Sequence, residues 1–319
     1  MKIKKVAVLY GGDSAEREVS LETGKQIAEA LKKLGYNAIL VDSKTNGKPK
    51  QVWQKILAEE LTETDFVFLA YHGGEGENGT IQGLLTTIGI PFSGASVLCS
   101  AVAMDKDLTK RIALNLGVPT ANWKLIFSED AESVNFKDFS DLGLPIIVKP
   151  NDGGSTIGLT IVKHEEEFAE AVKLAAKFSK KILVEEFIEG RELTVAILGG
   201  KALPVVEIKP HSGFYDYESK YTKGKTDYEV PAQLTKELTE KVKVDSLKLM
   251  KMIDCEVYGR VDYRLDNSGN HFLLEANTLP GMTATSLVPK AAKATGMSFE
   301  DLIQSILELS LQKSVSLPN

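Results

Sequence analysis

The sequence predicts a chain of mixed class, a parallel α/β unit followed by two α+β layers, and three observations carry that expectation. Apolar strands alternate with helices across short glycine connections up to about Gly94. Beyond Pro119, hairpin signals mix with helical periodicity. At 319 residues the chain exceeds one ordinary core and divides into domains, expected here as 1–95, 96–188 and 189–319.

The elements follow in order. Val6 to Tyr10 reads as a short buried strand, Gly11-Gly12 as a turn, and Ile27, Leu31 and Leu34 as one face of a helix stopped by Gly35. Asp65 to Tyr71 is a second strand ending in His72-Gly73-Gly74, and ligand groups in parallel sheets lie at such carboxyl ends. One helix is expected from Ser96 to Leu116, stopped by Gly117 and Pro119. Strands are expected at Leu144 to Lys149, Gly158 to Val162 and Lys181 to Ile188, with a strand pair joined at Gly199-Gly200. Helices are expected at Glu165 to Ser179, Leu234 to Ile253 and Ser298 to Leu311, the last opened by a capping box of Ser298 and Asp301. The polar stretch His211 to Tyr228 is a candidate mobile loop.

Composition excludes several functions. Hydrophobic residues make up 43% and charged residues 26%, values of a globular protein. Net charge is 38 − 44 = −6, with no basic stripe, so no nucleic-acid partner is expected. No apolar run reaches membrane-spanning length, and MKIKKVAVLYGG reads as a strand rather than a signal peptide. The expected compartment is therefore the cytoplasm, with no membrane partner. Cys99 and Cys255 are far apart in sequence, in no metal or redox spacing, and are expected in the core. The four histidines form no ligand cluster, which argues against zinc.

The chemistry concentrates in GRVDYRLD, Gly259 to Asp266, and HFLLEAN, His271 to Asn277. Val261, Tyr263 and Leu265 alternate with Arg260, Asp262, Arg264 and Asp266, so one face is apolar and the other charged. A four-residue loop would pair Leu265 with Phe272, Tyr263 with Leu274 and Val261 with Ala276, setting Asp262 opposite Glu275 and Arg260 opposite Asn277. Directly opposed β-carbons lie roughly 4.5–5.5 Å apart, and like charges there are destabilising unless neutralised. A hard divalent cation would neutralise them, and oxygen ligands from Asp262, Glu275 and Asn277 favour Mg²⁺ with open positions for phosphate oxygens. Arg260 on the same face could hold a phosphate fork-wise. The alternative is a solvated face whose charges never meet; the Thr-Leu-Pro-Gly turn after Asn277 favours the metal.

Other segments stay open on their residues alone. Lys149 ends the strand LPIIVKP and precedes the glycine turn Asn151 to Ser155, as a phosphate cradle or as an ordinary surface lysine. Lys106 in Met104-Asp105-Lys106 is similarly ambiguous. Leu183 to Glu192 offers Glu185, Glu186 and Glu192 either to a purine and a ribose or as edge-strand charge. In GGDSAEREVSLETG, Asp13 with Glu16 resembles a capping box. Ser20 competes as the N-cap, which would leave Glu16 facing the cleft and able to pair with a substrate ammonium.

With these segments in hand, the chain closely resembles D-alanine–D-alanine ligases of the ATP-grasp superfamily. The matching segments, in order, are VAVLYGGDSAEREVSL, HGGEGENGTIQG, AMDK, LPIIVKPNDGGSTIG, VEEFIEGRELTVAIL, FYDYESKY, GRVDYRLD and LLEANTLPGMTATSLVP. The resemblance implies an ATP-grasp fold whose central and carboxyl-terminal domains clamp ATP. It implies that ATP phosphorylates one D-alanine carboxylate and a second D-alanine amine attacks the acyl phosphate, giving D-alanyl-D-alanine, ADP and phosphate for peptidoglycan synthesis. It further implies two Mg²⁺ ions, with Mn²⁺ as a substitute, held by Asp262, Glu275 and Asn277, and a homodimeric assembly.

Carried over by position, the resemblance assigns phosphate contacts to Lys106, Lys149 and Lys220. The adenine region falls to Glu185, Glu186 and Ile188, and the ribose to Glu192. Arg260 and the backbone N–H of Gly281 would stabilise charge developing at the attacked carbon. Glu16 would receive the first substrate's ammonium, with His72 in the substrate-binding set, and Ser286 with Leu287 the second substrate's carboxylate. Ser155 and Tyr221 would join Glu16 in a hydrogen-bonded closure that excludes water. A ligase for a different amino acid, or a nucleotide-binding module without turnover, would share the hairpin. A dehydrogenase is excluded because GGDSAERE lacks the dinucleotide spacing.

Overall fold

Runs of Val, Ile, Leu and Phe bounded by glycine turns become strands buried on both faces in the first unit. The computed structural model describes residues 3–154, 156–211 and 224–315. Strand β1 (Lys5–Tyr10) lies between β2 (Asn37–Asp42) and β3 (Phe66–Ala70), parallel to both. Helix α1 (Arg17–Lys33) covers this sheet with Ile27, Ala28 and Leu31 fully buried. Strand β2 and the short helix Pro49–Lys55 fall where the sequence offered no element.

The expected helix from Ser96 to Leu116 is two helices, Val97–Met104 and Lys106–Asn115. Asp105 breaks them: its backbone is extended and its carboxylate accepts from the Leu108 amide at 3.0 Å, so it caps the second helix instead of continuing the first. Cys99, Ala103, Ala113 and Val118 pack into one core with Val195, Val261 and Leu273 of the carboxyl-terminal sheet. Both cysteines are buried there, and a hydrogen bond with Cys255, then burial, push the Cys99 thiol up.

A four-stranded antiparallel sheet follows, ordered Trp123–Phe127, Lys181–Glu186, Ile146–Pro150 and Thr160–Val162. Phe168–Ala176 packs on it through Phe168, Val172 and Ala175. Among the described residues the last sheet has six strands, with Arg191–Leu198 and Tyr258–Leu265 inside it and His271–Asn277, the hairpin partner of Tyr258–Leu265, at one edge. Thr226–Glu229 pairs antiparallel with Val206–Pro210, so the end of the expected mobile loop is a strand, while 212–223 lie outside the described residues. The Ser298 capping box forms, with the Asp301 amide donating to Ser298 Oγ at 3.0 Å and the Ser298 amide to Asp301 Oδ2 at 3.1 Å.

The hairpin register agrees with expectation at its open end and departs beyond it. Arg260 faces Asn277, Val261 faces Ala276 and Asp262 faces Glu275. A bulge then intervenes, so Tyr263 pairs with Leu273 and Leu265 with His271, not with Leu274 and Phe272. The reason is core demand. Leu273 is fully buried beneath Tyr263, whereas the extra residue Leu274 turns to the cleft.

Candidate functional site

A cleft opens between the two antiparallel sheets, lined by side chains of both. Lys106, Lys149, Glu185, Glu186, Ile188, Glu192, Arg260, Asp262 and Glu275 all line it, so the structure gathers nearly every nucleotide-side residue singled out by sequence. Arg260 and Asp262 come from within the inner strand Tyr258–Leu265, and Glu275 from the edge strand His271–Asn277. Lys149 closes the strand Ile146–Pro150, and Lys106 opens the helix that Asp105 caps.

The opposed carboxylates are each met by a cation. Arg260 Nε donates to Asp262 Oδ1 at 2.9 Å and Nη2 to Oδ2 at 2.9 Å. Lys106 Nζ stands 3.2 Å from Glu275 Oε2 and donates to the Gly153 carbonyl at 2.6 Å. Thr194, on the strand beside Asp262, donates its hydroxyl to Asp262 Oδ1 at 2.6 Å. Asn277 Oδ1 accepts from the Leu279 amide at 3.0 Å, which fixes the turn that the sequence pointed to.

Among the described residues no group of three or more His, Cys, Asp or Glu gathers. Two carboxylates and an amide are a donor set for a hard cation that completes its shell with water and phosphate oxygens. Asp262 is 6% exposed and already compensated by Arg260, so the fit rests on the donor set rather than on an unmet charge. The residues present therefore fit Mg²⁺.

Behind Lys149 lies a buried ion cluster. Glu185 accepts from Lys149 Nζ on Oε1, and Lys110 Nζ is 3.0 Å from Oε2. Burial pushes the Glu185 carboxyl up, and the two ammonium groups outweigh it and hold it down at about 2. Farther along the cleft, Asn122 donates to Glu186 at 3.2 Å. Arg264 donates to the Ile188 carbonyl at 3.1 Å and the Gly190 carbonyl at 2.7 Å, and lies 3.5 Å from Glu192.

The residues expected from sequence to bind substrate lie apart from these, none of them lining the cleft. Glu16 is neither in a capping box nor in a free loop: it stands at the N-cap position of α1 without capping through its side chain. Asp13 instead accepts from the Thr45 amide at 2.9 Å, and Ser20 sits inside the helix, bridging the Gly11 amide and the Ala70 carbonyl. A Cβ added at Gly73 or Gly154 would approach Glu16 Oε2 to 2.9 Å, so this carboxylate lies between the first unit and the phosphate turn. His72 is buried, its ring nitrogens 3.2 Å from Thr23 Oγ1 and 3.4 Å from Glu77.

Gly281 lies against Ser286, where an added Cβ would come within 3.1 Å of the hydroxyl. Ser286 Oγ accepts from the Thr283 amide at 3.1 Å and precedes the helix Leu287–Lys293. The Leu287 side chain is in the core, so only its backbone can reach a ligand. Ser155, Lys220 and Tyr221 lie outside the described residues.

Sequence reading missed Lys110, Thr194, Arg264 and Leu274 as site members. Arg264 shared the charged face of Asp262, and Lys110 is one helical turn from Lys106, so a signal existed for both. Thr194 and Leu274 had none, since a strand partner and a bulge decide them.

The family model described as D-ala D-ala ligase C-terminus matches residues 112–308, and D-ala D-ala ligase N-terminus matches 5–55 and 42–95. A D-alanine–D-alanine ligase of Clostridium botulinum (strain Okra / Type B1) is 42% identical over 310 residues, covering 97% of this chain and 99% of its own. That of Aquifex aeolicus (strain VF5) is 44% identical over 304 residues, covering 95% and 99%. The crystal structure of a D-alanine–D-alanine ligase from Bacillus anthracis complexed with ATP superposes with a TM-score of 0.84 at 35% identity, over 99% of each chain. A D-Ala:D-Ser ligase from Enterococcus faecalis superposes with a TM-score of 0.80 at 28% identity, over 97% of this chain and 100% of its own. Matched through both halves and over nearly its whole length, the chain belongs to the D-alanine–D-alanine ligase family.

Proposed function

We propose that this protein ligates two D-alanine molecules to D-alanyl-D-alanine with ATP, through a D-alanyl phosphate, releasing ADP and phosphate for peptidoglycan synthesis. The observation that carries the reading is the cleft itself. Lys149 of the central sheet and Lys106, at the start of the helix Lys106–Asn115, line the cleft together with Asp262 and Glu275 of the carboxyl-terminal hairpin, Lys106 standing 3.2 Å from Glu275. Unit 1–95 supplies the first substrate's carboxylate partner, and units 96–188 and 189–319 enclose the nucleotide.

Asp262, Glu275 and Asn277 are the residues that would hold Mg²⁺, which supplies charge neutralisation along a triphosphate when bound. Lys106 and Lys149 meet phosphate oxygens, Glu185, Glu186 and Ile188 the adenine region, and Glu192 the ribose. Arg260, held rigid against Asp262, presents positive charge where the attacked carboxyl carbon gains negative charge, together with the Gly281 amide. Glu16 receives the ammonium of the first substrate, while Ser286 and the Leu287 backbone receive the carboxylate of the second. Ser155, Lys220 and Tyr221 complete the closure over the acyl phosphate, which water would otherwise hydrolyse. The assembly is a homodimer in the cytoplasm; among the described residues no helix is long and apolar enough to cross a membrane.

The likeness to a D-Ala:D-Ser ligase means that fold alone leaves the second substrate open. Incubation of the protein with ATP, Mg²⁺ and D-alanine, with L-alanine and D-serine as parallel arms, resolves it. Phosphate release matched by D-alanyl-D-alanine is expected. No dipeptide from D-alanine would overturn the reading.

A further inference from the structure

The cluster behind the cleft holds two ammonium groups and one carboxylate, and their positions are not equivalent. Lys149 and Glu185 line the cleft, whereas Lys110 stands behind them, 1% exposed. Lys110 Nζ donates to Thr120 Oγ1 at 2.6 Å and the Ala121 carbonyl at 3.3 Å, lies 5.1 Å from the Trp123 ring centroid, and reaches Glu185 Oε2 at 3.0 Å. Thr120 is itself anchored by donating to the Leu273 carbonyl at 2.8 Å, so Lys110 is fixed in place and has no path to a nucleotide.

A carboxylate 2% exposed needs a positive partner at all times. If Lys149 were its sole partner, turning Lys149 toward a phosphate would leave Glu185 charged, buried and unpaired. The surplus ammonium removes that cost.

We propose that Lys110 is a positioning residue for the nucleotide: it is the permanent counterion of Glu185, and it thereby frees the cleft-lining Lys149 to pair with the phosphates. The inference rests on the ATP-dependent reading above. It assigns no contact with substrate to Lys110, which acts through Glu185 and Lys149.

The test is Lys110→Met, which keeps the side chain's length and removes its charge. Affinities for ADP and adenosine and Michaelis constants for ATP and D-alanine are measured beside the wild type. Losing a charged hydrogen-bond partner corresponds to ~10–100-fold weaker ADP and ATP binding. Adenosine, which has no phosphate, and D-alanine are expected to change less than about threefold on the same scale.

A merely structural role would survive the second variant unchanged. In Lys110→Met with Glu185→Gln, a neutral amide no longer retains Lys149, so ADP affinity recovers at least ~5-fold relative to Lys110→Met alone, a coupling typical of contacting residues. If Lys110→Met does not fold, Thr120→Val, which withdraws one anchor of Lys110, must weaken ADP more than adenosine. Unchanged ADP binding in the single variant, equal losses for ADP and adenosine, or no recovery in the double variant overturns the inference. A wild type that ligates D-alanine beside an unaffected Lys110→Met sinks this inference alone, whereas a wild type that binds no nucleotide sinks the functional reading with it.

Discussion

Asp262 and Glu275 face each other directly across the hairpin, and in the structure a different cation answers each: Arg260 grips Asp262 with two nitrogens, and Lys106 approaches Glu275 from the start of the helix Lys106–Asn115. The pair is thus a place where positive charge is required and where the two halves of the nucleotide cleft meet.

Glu275→Gln keeps the shape of the side chain and removes half of the opposed charge. Because losing an outer partner of a metal ligand typically costs ~10–100-fold, losing a ligand should lower turnover by at least ~100-fold. Mg²⁺-dependent ATP binding should fall in parallel. Wild-type activity across a Mg²⁺ titration would remove the metal assignment.

Thr194→Val tests the support beneath Asp262. Its hydroxyl is the only group removed, and the strand is otherwise intact, so turnover is expected to fall ~10-fold with thermal stability nearly unchanged. Loss of stability without loss of turnover would make Thr194 a packing residue only.

Glu16→Gln addresses the position that sequence left open. A hydrogen bond to a charged group is worth about 1.5–3 kcal/mol, so the Michaelis constant for D-alanine should rise ~10–100-fold. That for ATP should move far less. Equal effects on both substrates would leave Glu16 a helix-terminal residue without a ligand.

The bulge separates two neighbouring leucines. Leu273→Ala opens the core beneath Tyr263 and should cost about 2–5 kcal/mol of stability. Leu274→Ala, on the cleft side, should leave the unfolding midpoint close to wild type and raise the Michaelis constant for ATP. The reverse pattern would restore the unbulged register.

His271 carries a pH dependence. Its ring is 1% exposed, with Nε2 2.9 Å from Asp245 Oδ2 and the ring centroid 5.4 Å from that of Tyr263. Burial lowers its pKa, Asp245 opposes the shift, and Lys241 adds to it, leaving it below the ordinary 6.5. The unfolded chain therefore binds the extra proton first. This contribution to stability is complete above about pH 6.5 and is lost as pH falls through the lower folded value. Thermal unfolding from pH 8 to 5 should show a steeper loss for the wild type than for His271→Gln; parallel curves would contradict it.

Much of the site was legible where the physics is local. Alternation in GRVDYRLD set Asp262 against Glu275, because slipping by one residue would place charges in the core. Lys149 and Glu16 stood out as polar residues at the ends of apolar elements, and Asn277 as the residue before a forced turn. The break at Asp105 was less legible: helical periodicity runs through it, and only the extended backbone that makes it a cap reveals the second helix.

By itself the sequence determined the faces of the strand Tyr258–Leu265, the turn after Asn277, the opposed carboxylates and, through its ordered motifs, the family. Tertiary structure alone decided that Leu273 rather than Leu274 fills the core, that Lys106 reaches Glu275, and that Lys110 stands behind Glu185. Each depends on groups brought together from separate elements, where packing volume and charge compensation are settled only after the sheets have met.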